Sequence, residues 1–263
     1  MKRQSRFQFY EKMQQAIMPG LRSSQYAYRD ILLQRLNRPG RWLDLGCGHN
    51  VLASWMPKEE MALKLAGRRI FGIDLDESSL RAHRGIRNKV LGNVEKPPFR
   101  DESFDLITAN MVVEHVEYPE AALAEVYRLL KPGGVFIFHT TNALHFLTPI
   151  SRLFPKNLKN RVIGFLEGRA PDDIYPTYYR INTFGSVHKM ARRSGFEVAE
   201  LSIVHSTAET FMLGPVVVFE LLATRLLNLE MFHRFRSNIV AVLQKPGTRE
   251  LRYAVEEVNQ CSP

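Results

Sequence analysis

Two glycines one residue apart, Gly46 and Gly48, close a short apolar run that starts at Trp42. Glycine in such a turn admits positive φ and lets a ligand approach the backbone with no Cβ in the way. A second run, Arg69-Ile70-Phe71-Gly72-Ile73, ends on a carboxylate, Asp74, 26 positions beyond Gly48. Strand, glycine turn, helix and a second strand closing on an acid make a nucleotide-binding half-domain, and the carboxylate suits the two hydroxyls of a ribose. Farther along, Glu114-His115 follows the apolar run Phe104–Asn110. An imidazole titrates near neutrality, so His115 is a candidate to take a proton at a reaction centre, and equally a candidate to shape a loop. Glu114 could orient it, although adjacent residues need not face each other. A metal on this pair lacks a third ligand and is not expected.

These side chains need a frame, and the periodicity supplies one. Helices are expected over residues 1–40, with Phe7, Tyr10, Met13 and Ile17, then Ile31, Leu32 and Leu36, at helical spacing and Pro19-Gly20 between them. A crossover helix is expected over Val51–Ala66, broken at Pro57, and a helix over Ser78–Arg87 capped by Asp76 or Ser78. Strands are expected at Val90-Leu91, Phe104–Asn110, Val135–Thr140, Phe196–Val204 and Asn238–Gln244, with helices over Pro119–Leu130 and from Thr183 to Ser194. Such alternation predicts a doubly wound α/β sheet. Its ligands sit at the carboxyl ends of the strands where the order reverses, which brings Asn110 to His115 to the reaction centre.

A dinucleotide site would place a third glycine at Val51, which is β-branched. The wording Leu43-Asp44-Leu45-Gly46-Cys47-Gly48 instead resembles motif I of the class I S-adenosylmethionine-dependent methyltransferases. Gly92 to Ile107, Glu114-His115-Val116 and Leu129-Leu130-Lys131-Pro132-Gly133-Gly134 resemble the small-molecule, quinone-methyltransferase-like branch. The resemblance covers residues 41–142 in order, and departs where many members carry glycine at Asn50. It implies a Rossmann-like, seven-stranded, mostly parallel sheet with an antiparallel last strand, N-terminal helices and helical insertions. The cofactor it implies is S-adenosyl-L-methionine, with Gly46 and Gly48 along its methionine part and Asp74 on its ribose. Asn93 stands where an aspartate is common and keeps a carbonyl oxygen for the adenine amino group, while the Val94 N–H faces a ring nitrogen. Asp44, Cys47, Leu75, Asn110 and Met111 complete the expected cofactor-binding set. The expected organisation is a helical cover (1–40), a methyltransferase domain (41–245, with insertions 142–182 and 206–236) and a tail (246–263). The first insertion, with Tyr178, Tyr179 and Arg180, is where such enzymes build the acceptor pocket.

At 263 residues with 45% hydrophobic content, one large domain is expected. The 36 Lys+Arg against 27 Asp+Glu leave +9, which suits an anionic partner or a solvated basic surface. The charge forms no block of five, and no RNA-reading aromatic motif or Asn-Pro-Pro-Tyr signature accompanies it, so nucleic acid is disfavoured. Two cysteines, Cys47 and Cys261, suggest neither a disulfide framework nor a metal cluster and fit a cytoplasmic setting. Cys47 reads as a small turn residue rather than a nucleophile. The basic N-terminus is followed by no apolar segment of a secretory signal. Tyr26 or Arg22 is expected either to face the ligand or to pack. Leu213–Leu229 is apolar, interrupted by Glu220 and Arg225 and followed by His233, Arg234 and Arg236. It is too interrupted to span a bilayer, which takes ~20 apolar residues. It suits peripheral contact with an anionic membrane at the inner face, a buried helix, or a homodimer seam. The expected activity is methyl transfer to a small-molecule or lipid- or glycan-linked acceptor. The alternatives are a non-catalytic cofactor-binding scaffold and a nucleic-acid or protein methyltransferase.

Overall fold

The structure, a computed structural model, describes residues 3–36, 39–52, 68–149 and 175–248. Helices α1 (Arg3–Ile17) and α2 (Ser24–Arg35) come first, parted by the Pro19-Gly20 turn. The strands are β1 (Arg41–Leu45), β2 (Arg69–Asp74), β3 (Asn88–Leu91), β4 (Phe104–Asn110), β5 (Leu130–Thr141), β6 (Glu197–Val204) and β7 (Asn238–Gln244). The later helices are α3 (Glu77–Ala82), α4 (Pro119–Leu129), α5 (Phe184–Arg193) and α6 (Val216–Leu227). The expected crossover helix, most of the first insertion and most of the tail lie outside the described residues.

The strands form one sheet in the order β3-β2-β1-β4-β5-β7-β6. β7 runs antiparallel to both β5 and β6, and the other pairs are parallel. This is the doubly wound, seven-stranded sheet expected. β1 and β4 are neighbours, with Leu45 opposite Ala109, and the strand order reverses there. A crevice therefore opens at their carboxyl ends.

Both faces of the sheet are covered, as parallel strands require. Leu43, Leu45, Ile107 and Phe138 pack on one side with Leu123 and Val126 of α4 and Val187 of α5. Trp42, Leu106, Ile137 and Val240 pack on the other beneath Tyr28, Ile31 and Leu32 of α2. Burial of side chains this size stabilises by about 1.5–3 kcal/mol each.

Local chemistry explains where elements differ from expectation. α3 starts where Asp76 accepts from the Ser78 and Ser79 N–H groups, and it stops early at His83. There the His83 Nδ1 accepts from the Gly85 and Ile86 N–H groups, turning the chain into β3. β5 is longer than Val135–Thr140 because Lys131-Pro132-Gly133-Gly134 sits within the strand. Pairing shifts from Phe104↔Leu130 to Leu106↔Val135, and that irregularity absorbs the intervening residues. α5 matches expectation, with a capping box between Thr183 and Ser186 and Gly195 at φ +79 after its end. The apolar run beyond residue 210 breaks at Gly214 (φ +66) into a 3-10 turn (Thr210–Leu213) and α6, and a second 3-10 turn spans Glu230–Phe235.

Candidate functional site

The turn after β1 is built on the end of β2. The Gly46 and Cys47 N–H groups donate to the Ile73 carbonyl, and the Gly48 N–H donates to Asp74 Oδ2 at 2.8 Å. Asp74 Oδ1 accepts from the Asp76 N–H at 2.9 Å. Gly46 and Gly48 both have positive φ, +62 and +49. A Cβ on Gly46 would lie 2.4 Å from Val112 Cγ2, whereas one on Gly48 would meet nothing within 4 Å. Gly46 thus lets the segment after β4 close on the turn, and Gly48 keeps the turn open. Two oxygens with four lone-pair directions leave Asp74 free to accept two further donors.

A cleft of about 690 Å³ opens over these strand ends. Of the expected cofactor residues, Gly46, Gly48, Asp74, Leu75, Asn93, Val94, Asn110 and Met111 all line it, as do His115 and Tyr178. Asp44 and Cys47 do not: both are buried beneath the turn. Asp44 Oδ1 accepts from Thr108 Oγ1 at 2.6 Å, and Thr108 in turn accepts from Trp42 Nε1 at 2.7 Å. Burial outweighs the Thr108 hydrogen bond and raises the Asp44 carboxyl to about 7, with the Asp74 charge adding to the rise. Burial likewise lifts the Cys47 thiol to about 12, which keeps it protonated and unreactive. Tyr179 and Arg180 also stand outside the lining: Tyr179 (φ +52) is held by its N–H to the Glu114 carbonyl, and Arg180 lies 6.0 Å from the Tyr178 ring centroid.

Charge distribution in the cleft is unlike that of the whole chain. Asp74, Asp76, Glu95 and Glu117 line it, and among the described residues no lysine or arginine does. Asp76, bonded by Ser79 and Ser78, is held at about 2 and stays ionised. A cleft of this kind favours a cation over a polyphosphate, and with the cradle above Gly48 and the spare acceptors of Asp74 it fits S-adenosyl-L-methionine. Asn93 Oδ1 already accepts from the Glu95 N–H at 2.9 Å, so the oxygen expected to meet the adenine amino group keeps one lone-pair direction for it.

His115 ends the 3-10 turn Val113–His115 just past β4. Its Nδ1 lies 2.7 Å from the Pro176 carbonyl oxygen, which can only accept. Nδ1 therefore carries a proton, which selects the tautomer whose lone pair is on Nε2. The Glu114 side chain does not orient it, contrary to expectation. Glu114 is buried, and its Oε2 accepts from Thr140 Oγ1 at 2.7 Å. Its carbonyl instead accepts from the Tyr178 and Tyr179 N–H groups, pinning the strand of chain that carries Pro176.

Residue types gave no signal for several groups behind the cleft. Gln25 of α2 exchanges two hydrogen bonds with Asn110. Asn110 Oδ1 also accepts from His139 Nδ1 at 2.8 Å, and His139 Nε2 meets Ser24 Oγ at 3.0 Å. Burial drives His139 down to about 3, so it is neutral. A helical cover directs attention to α2, yet Gln25 makes the contact. Arg22 and Tyr26 stack on each other at 4.2 Å and line a different cavity.

Known proteins resemble this chain in sequence and in fold. A family described as "Methyltransferase domain" matches residues 43–138. A probable S-adenosylmethionine-dependent methyltransferase of Mycolicibacterium smegmatis is 27% identical over 204 residues, covering 73% of this chain and 76% of that protein. A ubiquinone biosynthesis O-methyltransferase of Hahella chejuensis is 33% identical over 122 residues, 43% of this chain and 48% of that enzyme. The chain thus spans less than half the length of this second relative. A solved S-adenosylmethionine-dependent methyltransferase from Methanosarcina mazei superposes with a TM-score of 0.55 at 16% identity, covering 82% of this chain and 97% of that one, a likeness of fold.

Proposed function

We propose that this chain is a class I S-adenosylmethionine-dependent methyltransferase that methylates an oxygen or nitrogen of a small, amphipathic acceptor with His115 as the base. One observation carries the reading: the glycine turn, Asp74 and a histidine with a free Nε2 lone pair share a single acidic cleft. S-adenosyl-L-methionine supplies an electrophilic methyl on a positively charged sulfur. The protein's own work is to align the acceptor, keep water out and take its proton.

In this reading Asp74 accepts from the ribose hydroxyls, and the Asn93-Val94 loop meets the adenine. Leu75, apolar yet 58% exposed at the cleft, packs against the base when it is bound. Asn110 and Met111 face the reacting end. Tyr175, Pro176 and Tyr178 form the acceptor side, and the relative named for ubiquinone biosynthesis favours an aromatic or lipid-like acceptor there. The four carboxylates count against a nucleic-acid strand entering the cleft. A cytoplasmic setting belongs to the same proposal and is supported by Cys47, which is a free thiol.

The test is His115→Ala assayed with labelled cofactor against metabolite extracts and then the acceptor so found. The expected loss in kcat is about 10²–10⁴, with affinity for the demethylated cofactor unchanged. Full turnover in this variant across the neutral range would remove His115 from the chemistry.

A further inference from the structure

We propose that the outer face of α6, with the arginines at its flank, docks on an anionic phospholipid membrane. The inner face of α6 is settled: Val217 and Leu221 are fully buried against Tyr10 of α1, Leu21 and Ala208. Glu220, the helix's one acid, also points inward at 5% exposure. Its carboxylate accepts from the Glu209 and Thr210 N–H groups and from the Thr210 hydroxyl. The outer face is left without negative charge. Val216, Phe219, Leu222 and Leu226 are all exposed there, Phe219 at 75%, and exposed Leu229 follows just past the helix end. At 100° per residue the four helical positions fall within an arc of about 120°. Met231, 73% exposed, extends the patch. An apolar stripe of this extent facing outward marks a contact surface.

Charge selects the occupant. Arg225 flanks the stripe on α6, and with Arg22 and Arg236 it lines a second cavity of about 600 Å³ between the α1–α2 turn and the end of α6. One acid, Asp30, lines it against those three arginines. Arg22, Arg225 and the neighbouring Arg234 have no carboxylate partner among the described residues. Among the described residues the one carboxylate paired with Arg236 is Glu230, which is 89% exposed and gives a weak bridge. The Nε of Arg236 is buried without a hydrogen-bond partner among the described residues at the same cavity. An apolar face beside unpaired guanidinium groups matches acyl chains beneath phosphate head groups. A second copy of this chain would bring the same basic rim against itself.

The docking does not depend on methyl transfer, so its test stands apart from the reading above. The experiment is co-sedimentation of the full chain with vesicles of phosphatidylcholine alone or mixed with phosphatidylglycerol, at about 0.05 and 0.5 M salt. Binding is expected to the anionic vesicles, weakened by salt. Arg225→Gln/Arg234→Gln should lower the partition coefficient about 30-fold, at about fivefold per arginine. Phe219→Ser/Leu226→Ser should abolish binding at both salt concentrations with an unchanged melting temperature, since both side chains are already in water. Negligible sedimentation of the wild-type chain with either vesicle would overturn the proposal. So would a wild-type dimer that Phe219→Ser/Leu226→Ser converts to monomer while vesicle binding is unaffected.

Discussion

His115 and Asp44 illustrate what residue identity alone conveys. The glycines, Asp74 and His115 are legible because their roles follow from type and short spacing. The group that fixes the His115 tautomer is a backbone carbonyl, Pro176, 61 positions away, and a carbonyl leaves no mark in residue type. Asp44 sits inside the recognised motif, yet it is buried under the turn with its pKa raised to about 7. From about pH 4 to 7 the folded chain thus holds a proton that the unfolded chain has released. Stability from this group is complete below pH 4 and is lost as pH rises through 7. Asp44→Asn, which keeps an acceptor for Thr108, should be more stable than wild type at pH 8, by roughly 2–4 kcal/mol, and match it near pH 4. Urea unfolding at the two pH values measures this, and an asparagine variant that is weaker at pH 8 would contradict it.

The strands and most helices were legible because hydrophobic period, caps and glycine stops agree, as at Thr183, Ser186 and Gly195. α6 was not. Its sequence reads as an apolar stretch interrupted by two charges, and ordinary patterning would turn Glu220 to solvent and the leucines inward. The fold keeps Val217 and Leu221 inside but also turns Glu220 inward, where it satisfies the N–H groups of residues 209 and 210, and leaves Phe219, Leu222 and Leu226 outside. Element packing also separates the two turn glycines. A side chain on Gly46 collides with Val112 just past β4, while one on Gly48 has room and bears only the cost of positive φ. Gly48→Ala should therefore destabilise by about 1–2 kcal/mol and Gly46→Ala by clearly more. Equal losses in denaturant titrations would contradict the close approach of turn and strand end.

For the whole molecule, buried histidines set the acid limit of the fold. Burial lowers His139 to about 3 and both His145 and His205 to about 4, with His205 and Arg236 respectively adding smaller repulsions. As pH falls below about 6.5 the unfolded chain protonates these rings and the folded chain does not, so their contribution is present above pH 6.5 and lost on the way to pH 4. Asp44 opposes with about one proton over the same window, leaving a net uptake of about two on unfolding. Stability should fall steeply from pH 6.5 to 4.5, measurable by denaturation across pH, and a flat profile would contradict the burial of these rings.

The central claim is that one acidic cleft holds S-adenosyl-L-methionine with its ribose on Asp74. Titration calorimetry with the demethylated cofactor, comparing wild type, Asp74→Asn and Asp74→Ala, tests it most directly. The asparagine keeps an acceptor for the Gly48 N–H and so separates turn geometry from ligand recognition. Wild type should bind this ligand and not NAD. Asp74→Ala should raise Kd roughly 10- to 150-fold, the 1.5–3 kcal/mol of hydrogen bonds to a charged group, with Asp74→Asn between the two. An alanine variant of unchanged affinity, or a wild-type chain that prefers NAD, would contradict the assignment.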